Sequence, residues 1–206
     1  MKKVIMMLAM MLATTATMQA QQGEQGTFTV QPKVGMNLST LSDADKAIFD
    51  VNFGMEAEYM LTDNVGMAAG IIMSNQGGKY DSDEEGKYTA DLDYLNIPVV
   101  ANFYVLPGLA LKAGIQPGYR TKAKAKMDGG TKDLDDLYKD ASLLTDEEIK
   151  ISKIDLSIPV GISYEYKNLV IDARYNWGLI KIVNVEDAFY NRVFQITLGY
   201  KLNFDI

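Results

Sequence analysis

The stretch Arg192–Phe204, RVFQITLGYKLNF, alternates without a break. Phe194, Ile196, Leu198, Tyr200, Leu202 and Phe204 share one parity, and Val193, Gln195, Thr197, Gly199, Lys201 and Asn203 share the other. Successive side chains of a strand point to opposite faces, so this segment has one apolar and one mostly polar face. It reads as the closing stave of a transmembrane β-barrel, and its backbone must then pair with the first strand, because hydrocarbon offers no partner to an open edge.

Seven further runs carry the same pattern. Phe28–Leu38 alternates, and the residues Val51–Leu61 follow a polar connection, Ser39–Asp50. Val65–Ser74 comes after the turn Thr62-Asp63-Asn64, where Asp and Asn suit a tight reversal by bonding to the local backbone. Past an acidic loop expected at 75–90, Tyr94–Phe103 and Leu109–Arg120 flank the turn Leu106-Pro107-Gly108. The longest connection, Thr121–Lys153, leads to Ile154–Glu165, the pair Lys167-Asn168, and Leu169–Gly178; a loop at 179–191 then reaches the closing strand. Within the longest connection, Leu134, Leu137, Tyr138, Ala141 and Leu144 recur at helical spacing behind Thr131 and Asp133 as candidate caps. Runs of about ten residues suit tilted strands crossing a bilayer, and connections that alternate long and short are those of an outer-membrane barrel with both termini in the periplasm. The expected fold is all-β, an eight-stranded antiparallel up-and-down transmembrane β-barrel.

Two features separate this barrel from a soluble one that holds a ligand behind an inward apolar face. Gly35, Gly54, Gly66, Gly70, Gly114, Gly118, Gly161, Gly178 and Gly199 all lie on the polar parity, where a narrow interior needs room for long charged side chains. The apolar parity carries aromatics near both strand ends: Phe28, Tyr59, Phe103, Tyr164 and Phe204 by the short turns, and Phe53, Tyr119, Tyr175, Trp177 and Phe194 by the long loops. Such girdles mark the two membrane interfaces. Pro98 and Pro159, in the related strings LNIPV and LSIPV, interrupt strands where a ladder donor is needed, so a bulge or a broken ladder is expected at each.

The N-terminus fits this destination. Lys2 and Lys3 precede an apolar run, Val4–Ala13, and small and polar residues up to Ala20, the layout of a cleaved signal peptide. Residues 1–20 are expected to be the leader, 21–26 a linker and 27–206 the barrel. No other segment approaches the apolar length of a spanning helix. Loss of the two leader lysines takes the net charge from -7 to -9, which disfavours nucleic acid as a partner. The chain has neither cysteine nor histidine, which removes disulfides, thiol nucleophiles, cysteine zinc sites and every histidine-based catalytic arrangement.

Five inward acids, Glu56, Glu58, Asp155, Glu165 and Asp172, face five inward bases, Lys33, Lys112, Arg120, Arg174 and Lys201. Paired networks that plug the lumen are the expected result, with no enzymatic activity, cofactor or metal site. The acidic string Asp81–Glu85 lacks the full calcium-loop pattern and reads as a solvated loop. Lys122, Lys124 and Lys126 continue from Arg120 to the outer rim, where they are candidates for contact with lipid phosphates.

KVGMNLS (33–39), YLNIPVVANFY (94–104), LALKAGIQPGY (109–119), LSIPVGISYEY (156–166), LVIDARYNWGL (169–179) and LGYKLNF (198–204) together resemble the Bacteroidota-type outer-membrane β-barrel family, the PorT-like small barrels often labelled porin-family proteins. The resemblance spans the mature chain. It implies an eight-stranded barrel in the outer membrane of a Gram-negative bacterium, inserted by the barrel-assembly machinery into outer-membrane lipid, and it names no protein partner. The chain departs from that family in ending with Asp205 and Ile206 after the final aromatic.

The expected role is a structural or interaction protein acting through its long loops. The alternatives are a narrow channel for ions or small solutes, an accessory barrel in protein secretion, which rests on the resemblance, and a soluble ligand-binding barrel. Replacing Phe204 by Ala is expected to impair assembly, seen as less heat-modifiable barrel in outer-membrane fractions; normal assembly would move the signal to Ile206 or another residue.

Overall fold

The computed structural model describes residues 24–41, 46–82, 86–127, 130–134, 136, 152–181 and 190–204. The expected leader and the last two residues lie outside them. The strands are β1 (Phe28–Leu41), β2 (Ile48–Thr62), β3 (Val65–Ser82), β4 (Gly86–Asn96), β5 (Val99–Leu106), β6 (Leu109–Met127), β7 (Gly130–Asp133), β8 (Ile154–Tyr166), β9 (Leu169–Lys181), β10 (Tyr190–Tyr200) and β11 (Leu202–Phe204). β4 and β5 form one stave interrupted at Ile97-Pro98, β10 and β11 form another interrupted at Lys201, and β7 folds back on β6. Eight antiparallel staves result. The barrel closes where β1 pairs with β10, as in Met36 opposite Ile196, and with β11, as in Phe28 opposite Phe204.

Burial alternates along every stave. Large apolar side chains face outward around the whole circumference, Trp177 at 60 % and Ile171 at 57 % exposure among them, while Arg174 and Asp172 inside are each 1 % exposed. A soluble barrel would invert that order, so the outward face is a lipid face. No helix among the described residues is long and apolar enough to cross a membrane, and the crossing is made by strands.

The glycines serve two purposes. A Cβ at Gly66 would meet the Glu58 carboxylate and one at Gly199 would meet the Gln31 side chain, so there the missing side chain makes room inside the lumen. At Gly35, Gly54 and Gly114 the obstruction is instead backbone of the adjacent strand, respectively the carbonyl oxygens of Ile196, Ile71 and Val99. These three allow the close strand approach of a tightly coiled wall.

Both interior prolines break the ladder without a bulge. Asn96 opposite Gly118 and Val99 opposite Ile115 keep one register across Pro98, and Ser157 opposite Gln116 and Val160 opposite Ala113 keep one register across Pro159. The two gaps face adjacent residues of β6, Gln116 and Pro117 on the Pro98 side and Gly114 and Ile115 on the Pro159 side. Both prolines are fully buried in the lumen, so the related strings loosen one stave from its two sides.

Three connections differ from expectation. β3 and β4 continue as a hairpin to Ser82 and Gly86, paired throughout, where a loop at 75–90 was expected. Eight residues past Ser74 add about 25 Å of strand. Alternation fades there because no lipid face has to be apolar, yet ladder hydrogen bonds persist without it. The side chains of Asp81–Glu85 lie outside the described ones. β6 likewise runs on to Met127 and turns back as β7, so the longest connection begins as strand; Leu134 and Asp136 are helical, Asp133 immediately precedes them, Thr131 lies in β7, and the remaining helical pattern is outside the described residues. Finally, β2 starts at Ile48, which adds Phe49, 72 % exposed, to the outward face.

The short turns hold by side-chain bonds. Thr62 Oγ1 accepts from Val65 N at 3.1 Å, whereas the expected Asp63 accepts from Gln25 N at 3.1 Å. Lys167 takes the left-handed conformation (φ 57°), and Asn168 Nδ2 donates to the Lys201 carbonyl at 2.9 Å.

Candidate functional site

The lumen is the polar centre of the molecule. Strand alternation delivers the ten inward charges of Lys33, Glu56, Glu58, Lys112, Arg120, Asp155, Glu165, Asp172, Arg174 and Lys201 to it, and all ten are buried. They do not meet as five equal pairs.

The middle of the barrel holds three cations and two anions. Arg174, on β9, reaches across to β2, with Nη1 donating to Glu56 Oε1 at 2.5 Å and Nη2 to Glu56 Oε2 at 2.7 Å. The same guanidinium turns Nε to Asp172 Oδ1 at 2.9 Å and Nη2 to Asp172 Oδ2 at 2.8 Å. Lys33 Nζ, from β1, lies 3.0 Å from Glu56 and 3.1 Å from Asp172, and Lys112 Nζ, from β6, lies 2.6 Å from Asp172. Charge-assisted, forked contacts of this kind are the strongest polar contacts a protein makes, and in a dry interior they hold four staves in one geometry.

Nearer the short turns, one cation meets two anions. Lys201 Nζ lies 3.0 Å from Glu58 and 2.7 Å from Glu165 and donates to the Tyr104 hydroxyl at 2.8 Å. Tyr104 in turn donates to Glu58 at 2.9 Å, and Asn102 Nδ2 donates to Glu58 Oε1 at 2.6 Å. Tyr104 packs with Met60 and Ala110, which floor the lumen. Sequence reasoning ended this run at Phe103 and missed Tyr104, although it continues the Asn102 parity.

Above the central cluster the lumen is polar but largely uncharged. Asn52 Nδ2 donates to Asn37 Oδ1 at 2.7 Å, Asn37 Nδ2 to Ser74 Oγ at 2.7 Å, and Gln76 Nε2 to the same hydroxyl at 2.8 Å. Arg120 and Asp155 sit at this level, apart from both clusters; Arg120 Nε donates to the Ser152 carbonyl at 3.2 Å, and Asp155 accepts from Leu156 N at 2.9 Å. Higher still the inward residues become apolar: Ile48, Ala90, Leu92, Ala123, Ala125 and Leu134 are all buried, with Ala90 opposite Ala125 and Leu92 opposite Ala123.

A bulge produces that change on β6. Arg120 pairs with Tyr94 and Lys122 with Asp93, so Thr121 is an extra residue and the inward parity switches from even to odd. Lys122, Lys124 and Lys126 therefore face out. Lys122 is 3.9 Å from Asp93, Lys126 forms an ion pair with Asp91, and Lys124 stands opposite Asp91 and Asp133 in the ladder. The hydrogen bond and charge of Asp91 raise the affinity of the Lys126 ammonium for its proton.

The ten aromatics expected to form girdles lie on the outward face. Phe28, Tyr59 and Phe204 occupy three adjacent staves in register, the rings of Phe28 and Phe204 being 6.3 Å apart. Phe103 and Tyr164 share that end, with Phe103 opposite Leu111 and Tyr164 opposite Leu109. Toward the long loops Tyr175 pairs with Phe194 and Trp177 with Ile158, while Phe53 pairs with Met73 and Tyr119 with Leu95.

Removing one partner from a buried network leaves the others charged and unsatisfied. Arg174→Met removes the forked hydrogen bonds to Glu56 and Asp172 and leaves the two carboxylates to Lys33 and Lys112 alone; a loss of about 3–5 kcal/mol is expected from urea unfolding in lipid vesicles, against almost none for an outward change such as Ile171→Leu.

The closed eight-stave wall agrees with the known proteins that this chain matches. The family described as outer membrane protein beta-barrel domain matches residues 19–184. Among solved structures, Ail, the attachment invasion locus protein of Yersinia pestis, in complex with the heparin analogue sucrose octasulfate, is similar at TM-score 0.53 and 16 % identity, over 86 % of this chain and 99 % of that one. Neisserial surface protein A is similar at TM-score 0.49 and 16 % identity, over 86 % of this chain and 97 % of that one. No curated protein matches. The chain belongs to the outer membrane protein β-barrel family and resides in the outer membrane of a Gram-negative bacterium.

Proposed function

We propose that this barrel is a closed, non-conducting wall element whose rim acts as a structural or interaction surface. The carrying observation is Arg174, held between Glu56 and Asp172 across the centre of the lumen. With Lys33 and Lys112 bound to the same two carboxylates, the centre of the lumen offers a passing ion no free charge. The apolar residues above and the Met60–Tyr104–Ala110 floor below add two further barriers.

The surface available for recognition is the extended rim. The β3–β4 hairpin and the β6–β7 return rise past the upper aromatics, which on this reading puts them outside the cell, with both termini in the periplasm. Within the family, the strings quoted above favour the PorT-like small barrels, with insertion by the barrel-assembly machinery reading the closing strand. Purified protein in planar bilayers is expected to be electrically silent; discrete conductance steps would replace this reading with the narrow channel.

Lys122, Lys124 and Lys126 have a double role in this scheme. Pairing with Asp91, Asp93 and Asp133 aligns the hairpins, and at 66 % and 61 % exposure the ammonium ends of Lys122 and Lys126 also reach phosphates of the outer leaflet. Exposed pairs contribute little to stability, so the barrel tolerates their loss. Replacing all three by Gln is expected to leave the unfolding midpoint in place while reducing retention on lipopolysaccharide-containing vesicles; unchanged retention would remove the lipid contact.

A further inference from the structure

The Asp155 side chain is the one lumen carboxylate outside both charge clusters. It is 7 % exposed, accepts hydrogen bonds from Leu156 N and the Asn191 amide, and forms no ion pair with a described residue. Together with Gln76, Gln116, Ser157, Asn176 and Asn191 it lines a narrow recess of the lumen. Two amide oxygens in that lining, Asn176 Oδ1 and Asn191 Oδ1, are buried and lack any hydrogen-bond partner, on residues only 4 % and 2 % exposed. The Asn191 orientation is fixed, because its Nδ2 donates to Gln76 Oε1 and a flipped amide would set oxygen against oxygen. Buried acceptors without donors are rare and call for a partner.

We propose that this recess is a site for a dehydrated monovalent cation of sodium's size, held by the Asp155 carboxylate and the Asn176 and Asn191 carbonyl oxygens, with Gln116 and Ser157 completing the shell. Hard cations take oxygen ligands of this mixed kind. Water fits less well on two counts. It would leave Asp155 without an ion partner among the described residues in a low-dielectric interior, and the recess is too narrow to seat a water-sized sphere. A divalent ion would exceed the single carboxylate and bury net positive charge. The surroundings retain a cation once it is bound: apolar Leu92, Ala123 and Ala125 lie on the rim side, and the cluster of Lys33, Lys112 and Arg174, with one positive charge in excess of Glu56 and Asp172, lies on the other. The site would therefore load as the barrel closes. This inference stands whether or not the rim binds a partner.

Urea unfolding of the whole barrel in vesicles, in sodium chloride against choline chloride at equal ionic strength, tests it. The wild-type midpoint is expected to rise with sodium concentration, and Asp155→Asn and Asn176→Leu to flatten that rise. Asn176→Leu keeps the side-chain shape and leaves Asp155 intact, so it serves if the first variant folds poorly. A high-resolution structure in sodium is expected to show an atom at about 2.4 Å from these oxygens, the range of hard cations of that size. Equal wild-type midpoints in the two salts would overturn the site, as would an atom at the ~2.8 Å of a hydrogen-bonded water.

Discussion

A strand in hydrocarbon cannot leave its backbone unpaired, and that requirement shapes this molecule from its first strand to its last. Phe28 must find Phe204 and Leu41 must find Asn191, so the first and last staves are held together by the wall they complete. Closure at eight staves then sets the interior diameter, which is too narrow for solvent and just wide enough for interlocking side chains. The inside is thus a packed core built from charge, and the prolines that breach the ladder lie with their rings in that core.

The wall and the lumen depend on each other. Arg174 and Asp172 come from β9, Glu56 from β2, Lys33 from β1 and Lys112 from β6, so the central cluster joins staves distant in sequence. Such a network stabilises little against an apolar filling, but it penalises every register in which a partner is missing. A slip of one residue would send the charges to lipid and the aromatics inward. The same pairing thereby specifies the arrangement of the strands.

Most of the wall was legible because lipid enforces strict alternation. The parity that puts Phe194 outside also puts Gln195 inside, and ten inward charges followed from that rule alone. The limits appear where lipid ends. Asn75–Ser82 and Lys122–Met127 remain strand but lose the apolar face, so their pattern resembles a loop. Grouping of the charges was not legible either: equal counts of acids and bases suggested pairs, whereas barrel curvature and stave tilt collect Lys33, Lys112 and Arg174 in one place and isolate Asp155. Tyr104 was missed because alternation was read as ending one residue early, and Phe49 because it was read as starting at Val51.

The Thr121 bulge divides β6 into two segments that obey different solvents. Below it, even positions answer to a charged core and odd ones to lipid; above it, the assignment is exchanged, and the lysines become a feature of the surface. One inserted residue thus uncouples the part of the chain that must remain constant to stay in the membrane from the part that extends beyond it. The rim can change its sequence, charge and length without transmitting a shift of register into the wall beneath it.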